Sequence, residues 1–170
     1  MPENESFGLL ITEEDCSPET LLGDAPPTSV IGAVATRLRS PLPVSRLVSE
    51  FTAGAVADTV KRTSQAFGVD GKLQDAEDWG GMLVDWATQQ HLTSIVTPYV
   101  PVGPVAERLS AARAVLDRYG VRLLQLRRPY DSAVWPHARK GYFKLKQQIP
   151  IILDRLDLHN PAPPPQSLAG

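Results

Sequence analysis

The chain contains one cysteine, Cys16, and two methionines among its 170 residues. A single cysteine excludes an internal disulfide, and the lack of disulfides is typical of proteins from reducing compartments. The N-terminus has neither the basic segment nor the apolar core of a signal peptide, and no apolar run approaches the ~20 residues of a membrane span. We therefore expect a cytoplasmic protein with no membrane partner.

The sequence also lacks the usual signatures of catalysis and metal binding. It has no Gly-rich phosphate-binding fingerprint, no nucleophile elbow, no Cys/His motif and no carboxylate dyad. Its histidines, His91, His137 and His159, are too far apart to suggest a pair. The acids at 13–15 have no second cluster at metal-ligand spacing, and the dipole of the short helix predicted after them accounts for their position. We predict no catalytic residue and no metal site, and we do not expect the chain to be catalytic alone.

Charge is distributed unevenly along the chain. Residues 1–25 hold seven acids and no Lys or Arg, whereas residues 121–146 hold seven bases and one acid. Two interpretations of the basic segment stay open: solvated faces whose aromatic residues anchor a loop, or a docking surface for DNA, phosphate or an acidic partner. The residues of such a surface would be Arg127, Arg128, Trp135, Arg139, Lys140, Lys144 and Lys146.

Short continuous apolar runs predict the strands, because a strand covered by helices on both faces is apolar throughout. These runs are residues 7–12, 29–35, 93–97 and 121–126. A fifth strand is expected near 69–73, and segments with helical periodicity separate the runs. Strands that alternate with helices pair in parallel. The predicted fold class is therefore α/β, a three-layer Rossmann-like domain with a parallel sheet of four to five strands flanked by helices.

We predict one α/β domain over residues 1–158 and a Pro-rich disordered tail over 159–170. Residues 127–140 have no consistent period and are expected to form an ordered loop. A last helix follows them, which Pro150 should kink or divide.

Two sets of apolar side chains are expected to be buried. In the long amphipathic helix predicted at 44–67, Leu47, Val48 and Phe51 belong to the apolar face. In the last strand, Leu124 is expected to be fully buried.

Ligands of such sheets bind outside the carboxyl ends of the strands. Here that edge would be built from residues 13–15, 37–39, 98–103 and 127–130. The turn that leads from the strand at 93–97 into the next helix offers free N–H groups, which favour an anion, although its three prolines remove donors. A plain crossover turn is the alternative. The candidate cofactor-binding residues are Thr97, Tyr99 and Gly103.

The order of elements from residue 78 to residue 150 resembles that of the N-terminal α/β domain of the DNA photolyase/cryptochrome family. This order is helix, strand, helix, strand, a loop, and an aromatic segment that enters a helix. The run Gly141-Tyr142-Phe143-Lys144 is similar to the family's glycine, aromatic, phenylalanine, basic pattern at that junction. At the first strand the chain departs from the family, since Thr12-Glu13-Glu14-Asp15-Cys16 stands where the family has Arg-x-Asp-Leu-Arg, and only the Asp matches.

The resemblance implies a link to light-dependent DNA repair or blue-light sensing. The family's helical domain, which binds FAD and the DNA lesion, has no counterpart in this sequence. The expected partner is therefore an FAD-binding helical domain or subunit, with DNA as a further partner. No cofactor is expected in this chain alone, and FAD or an antenna pigment only with the missing domain. Two alternatives remain: a stand-alone nucleotide-binding module of Rossmann-like architecture, and a non-catalytic interaction domain that uses the basic surface at 127–146.

Overall fold

The structure is a computed structural model that describes residues 6–23 and 25–158. The predicted tail at 159–170 lies outside these residues. The strands are Phe7–Ile11 (β1), Ser29–Gly32 (β2), Gly71–Leu73 (β3), Ser94–Pro98 (β4) and Arg122–Leu126 (β5). The α-helices are Glu19–Leu22 (α1), Arg46–Phe67 (α2), Trp79–Gln89 (α3), Pro104–Leu116 (α4), Pro129–Val134 (α5) and Tyr142–Arg155 (α6).

The chain divides into two compact units, one up to Leu126 and one from Arg127 onward. The first unit, the sheet unit, contains all five strands and helices α1 to α4. The second, the helical unit, contains α5, the 3₁₀ turn Trp135–Lys140 and α6. The predicted end of the α/β domain at residue 158 stays a prediction.

The sheet is parallel throughout, with the strand order β3-β2-β1-β4-β5. Leu9 of β1 pairs with Val30 on one side and with Val96 on the other, which places β1 at the centre. The predicted α/β class and its parallel sheet are confirmed, and the fifth strand lies at Gly71–Leu73. The chain moves outward from β1 to β3 and then returns to the other side of β1, so the strand order reverses between β1 and β4.

Helices cover both faces of the sheet, which gives three layers. Alternate side chains of the central strands meet α3 and α4 on one face, as Leu10 and Ile95 do. The intervening side chains, such as Leu9 and Val96, meet α2 on the other face. Every residue of β1 is buried, as expected for a strand between two helical layers.

Two glycines let the helices approach the strands closely. A β-carbon at Gly8 would lie 2.4 Å from the Trp86 ring of α3, and one at Gly32 would lie 2.8 Å from both Val56 and Val60 of α2. Any larger residue at these positions would push a helix away from the sheet, because a packed interior leaves no free volume to absorb it.

The predicted apolar face of the long helix is wrong for its first turns. Leu47 is 76% exposed and Phe51 78%, and the buried residues of α2 begin at Val56. The helix has 22 residues and is about 33 Å long, whereas β2 is about 13 Å long, so α2 extends past the carboxyl edge of the sheet. Its first turns therefore have an apolar face but no strand beneath it.

The segment predicted as a loop at 127–140 is helical. Pro129 occupies the first turn of α5, where its missing N–H costs nothing. Pro136 cannot continue an α-helical hydrogen-bond ladder, and the chain tightens there into the turn Trp135–Lys140. Helix α6 runs continuously through Pro150, so this proline does not divide the last helix, and the kink that was the other expectation stays a prediction.

Leu124 is only partly buried, contrary to the prediction, because it lies on the edge strand β5. Its neighbour Leu123 points to the other face and is 2% exposed. We expect Leu123→Ala to lower the free energy of unfolding by about 2–5 kcal/mol, as for a fully buried leucine, and Leu124→Ala to cost less than about half of that.

The unfolding free energies of Leu123→Ala and Leu124→Ala are measured by urea unfolding in a Trp135→Phe background. Trp79 and Trp86 are then the only tryptophans, and both lie in the sheet unit. Equal losses for the two variants would contradict the assignment of the two faces of β5.

Candidate functional site

A pocket of about 130 Å³ opens at the carboxyl edge of the sheet unit. Its walls come from three places: residues 34–38 after β2, residues 75–77 after β3, and the first turns of α2 at Ser49 and Ala53. Arg108 of α4 completes it. The pocket thus lies at the edge where parallel α/β sheets bind their ligands.

A buried carboxylate holds one wall of this pocket in place. The Glu13 side chain, 4% exposed, accepts the backbone N–H of Ala35 at 2.9 and 3.1 Å and the hydroxyl of Thr36 at 3.3 Å. The guanidinium of Arg39 lies 3.7 Å from the same carboxylate and 3.0 Å from that of Glu14. Glu13 therefore fixes the segment after β2, a role more specific than the complementarity to a helix dipole that the sequence suggested.

Two arginines of the pocket differ in how they are held. The half-buried Arg108 donates a hydrogen bond to the backbone carbonyl of Glu77. Arg37 is exposed and forms no hydrogen bond or ion pair with any described residue. Asp75 and Glu77 also line the pocket, but neither forms an ion pair with these arginines within the described ranges. The pocket thus contains the guanidinium of Arg108, which a hydrogen bond orients, and that of Arg37, which no described residue pairs.

The turn at 97–104, where the sequence predicted a cofactor site, is held by hydrogen bonds to β5. Tyr99 donates its N–H to the Leu126 carbonyl at 2.7 Å, and Val100 donates to the Gln125 side chain at 3.1 Å. Thr97 is fully buried, and its hydroxyl has no partner among the described residues. Thr97, Tyr99 and Gly103 do not line the 130 Å³ pocket. A cofactor site at these residues stays a prediction.

Arg62 of α2 holds the segment that follows β1. Its guanidinium donates to Asp58 at 2.9 Å, to Glu19 at 2.6 Å and to the Cys16 carbonyl at 2.9 Å. The hydrogen bond to Asp58 is the main reason that the pKa of Arg62 is raised, with desolvation opposing it. The positive charge of Arg62, which ties α1 to α2, is therefore permanent. Because its guanidinium is occupied by these three partners, we assign no ligand-binding role to it.

In the helical unit, the predicted basic residues separate into two groups. Arg127 stacks over Trp135, 5.3 Å from its ring centroid, and donates to Ser132 at 3.0 Å, so this cation is engaged in contacts within the helical unit. Arg139 and Lys144 instead line a pocket of about 360 Å³. The other residues of this pocket are Pro136, His137, Gln147 and Gln148.

The remaining members of the predicted surface lie outside that pocket. Arg128 precedes α5, and its carbonyl accepts the Ser132 N–H at 3.0 Å. Lys146 is exposed on α6. Lys140 ends the 3₁₀ turn, and its side chain is outside the described part of the structure.

Sequence reasoning placed Arg37 and the acids 13–15 at the carboxyl edge, but it missed Arg108. The signal for Arg37 was its position directly after an apolar run. Arg108 lies one turn into α4, and only the packing of α4 against the rest of the unit brings it to the segment after β3. No local pattern carries that information.

An all-parallel sheet in this strand order, with helices on both faces, defines a three-layer Rossmann-like α/β domain. No protein-family model matches the chain, and no curated protein matches its sequence. Residues 6–23 and 25–158 contain no group of three His, Cys, Asp or Glu side chains that could hold a metal ion. None of the helices in these ranges combines the length and apolar character needed to cross a bilayer.

The role of Glu13 is tested by comparing it with Glu14. We expect Glu13→Ala to cost about 2–4 kcal/mol of unfolding free energy, because it leaves the donors of Ala35 and Thr36 without their charged acceptor. Glu14→Ala removes only a surface ion pair with Arg39 and should cost less than about 1 kcal/mol. Urea unfolding in the Trp135→Phe background measures both, and similar small losses would show that Glu13 does not hold the edge.

Proposed function

We propose that the sheet unit binds the anionic group of a small molecule, a phosphate or a carboxylate, in the pocket at the carboxyl edge of the sheet. The observation that carries this proposal is the guanidinium of Arg37, which no described residue pairs and which shares one pocket with Arg108. Arginine is well suited to such anions, because its planar fork matches the two oxygens of a carboxylate or phosphate.

The size of the pocket limits what it encloses. Sites that bury a drug-sized ligand have volumes of roughly 300–1,000 Å³, whereas this pocket has about 130 Å³. It therefore surrounds the anionic group, and the rest of the ligand lies at its mouth beside Leu38, an exposed apolar residue of the wall.

The anion does not sit where a dinucleotide pyrophosphate sits in a Rossmann fold. That position is the turn after the first strand, where glycines expose backbone N–H groups. Here Glu13 and Glu14 follow β1, and two carboxylates repel a pyrophosphate. The proposed ligand position is instead at the carboxyl ends of β2 and β3.

The same proposal includes the family. We infer that the chain is an α/β domain of the photolyase/cryptochrome type. In support, α3, β4, α4 and β5 follow one another as the resemblance requires, and α6 begins at Tyr142, directly after Gly141. Such a domain works with an FAD-binding helical domain or subunit in light-dependent DNA repair or blue-light sensing, in the cytoplasm, and its edge pocket takes an antenna pigment or nucleotide through its anionic group.

Anion binding is tested by calorimetric titration with AMP and with inorganic pyrophosphate. Removal of one charge-assisted hydrogen bond should weaken binding about tenfold or more in Arg37→Gln and in Arg108→Gln. Arg113→Gln is the matched control, because Arg113 is an exposed residue of α4 that does not line the pocket. Equal weakening in all three variants, or no binding by the wild type at millimolar ligand, would overturn the proposal.

The chain alone should bind no FAD, because no residue of it corresponds to the family's FAD-binding helical domain. After incubation with excess FAD and gel filtration, we expect no flavin absorbance in the protein peak. A stoichiometric flavin band would instead place an FAD site within these 170 residues.

A further inference from the structure

The 360 Å³ pocket of the helical unit is chemically different from the pocket at the sheet edge. Its cations, Arg139 and Lys144, pair with no carboxylate in the part of the chain that the structure describes. No acidic residue lines it, and residues 136–148 contain no Asp or Glu at all. The side chains of Gln147 and Gln148 add neutral donors and acceptors. This pocket is large enough for a nucleotide-sized group.

Two exposed aromatic rings lie between these cations in the sequence, outside the residues that line the pocket. Tyr142 is 63% exposed and Phe143 80%, and their rings meet edge to face with centroids 5.9 Å apart. Phe143 directly precedes Lys144 in the first turn of α6. Ile152 of α6 is buried, and Leu145 and Ile149 are partly buried, which marks one side of the helix as its inward face. Phe143 lies on the opposite, outward side, whereas Tyr142 lies on the same side as Leu145 and Ile149, three and seven residues later, and is exposed in the first turn of the helix.

We propose that Arg139, Tyr142, Phe143 and Lys144, together with the other residues of the 360 Å³ pocket, form a binding site for single-stranded nucleic acid. Arg139 and Lys144 contact backbone phosphates, and Tyr142 and Phe143 provide faces on which bases stack. Open cations next to exposed aromatic rings are the arrangement with which proteins bind single strands without sequence preference. A duplex fits poorly, because its bases are already stacked and present no free face. The proposal uses none of the residues of the sheet-edge pocket, so the two can fail independently.

Two of the residues predicted for the basic surface, Arg127 and Trp135, are not used in this proposal. Arg127 stacks over Trp135 and donates to Ser132, so this cation is already engaged within the helical unit, although both residues are exposed. The seven-residue surface predicted from the sequence stays a prediction, and the site proposed here shares Arg139 and Lys144 with it and adds Tyr142 and Phe143.

The test is fluorescence anisotropy with a labelled oligothymidylate, at two salt concentrations, using the full chain. Replacing both cations (Arg139→Gln with Lys144→Gln) should weaken binding at least tenfold at low salt and reduce the salt slope by roughly 1.4, about 0.7 for each phosphate that the variant no longer neutralises. Phe143→Ser should weaken binding roughly tenfold and leave the slope unchanged, because stacking releases no counterions.

Matched controls separate the site from general effects of charge and exposure. Arg155→Gln removes an exposed cation from the same helix, and Tyr119→Ser removes an exposed aromatic ring, 66% exposed, from the sheet unit. Both should bind like the wild type. The variants change exposed residues, and circular dichroism checks that each is folded.

Three results would overturn the proposal. The first is no binding by the wild type at low salt. The second is duplex DNA binding as tightly as the single strand, since stacking on free bases would then play no part. The third is a polyglutamate peptide binding as tightly as the oligonucleotide while Phe143→Ser has no effect, which would identify the site as a docking surface for an acidic protein.

Discussion

The carboxyl edge of the sheet depends on one buried carboxylate. Glu13 follows the central strand β1 and accepts hydrogen bonds from the segment after the neighbouring strand β2. With that segment fixed, Arg39 is drawn into ion pairs with Glu13 and Glu14, and Arg37, two residues earlier, is left open at the pocket. A single interaction thus decides which of two neighbouring arginines is structural and which is available to a ligand.

The strands were predictable because a strand that is buried on both faces has a recognisable local sequence, a short run without polar residues such as that of β1. The short edge strand β3 has almost no such local signal, since Gly71 and Lys72 are exposed. Periodicity located α2, but it does not report what covers an apolar face, and the exposure of Phe51 in the first turns could not be anticipated. The edge pocket was predictable in part, because strand ends are local features and the position of Arg108 is not.

The two proposed sites, the pocket at the sheet edge and the pocket of the helical unit, suit different kinds of ligand. At the sheet edge, Asp75 and Glu77 line the pocket together with the two arginines, so under the proposed function they would repel a weakly matched anion and favour one that engages both guanidinium groups. Among the described residues of the helical unit, no carboxylate opposes Arg139 and Lys144, and selectivity must come from the aromatic rings instead. The small net charge of −2 conceals this difference.

The strand order has a consequence for how the chain folds during its synthesis. Strands β1, β2 and β3 are complete at Leu73, and a half-sheet of these three has β1 as a free edge, although β1 is buried at every residue in the finished fold. Its partner β4 begins only at Ser94. At about 5–20 residues per second on the ribosome, that apolar edge waits roughly one to four seconds for its partner. During this interval the apolar edge of β1 is available for pairing with a strand of a neighbouring chain, and this exposure ends when β4 has been made.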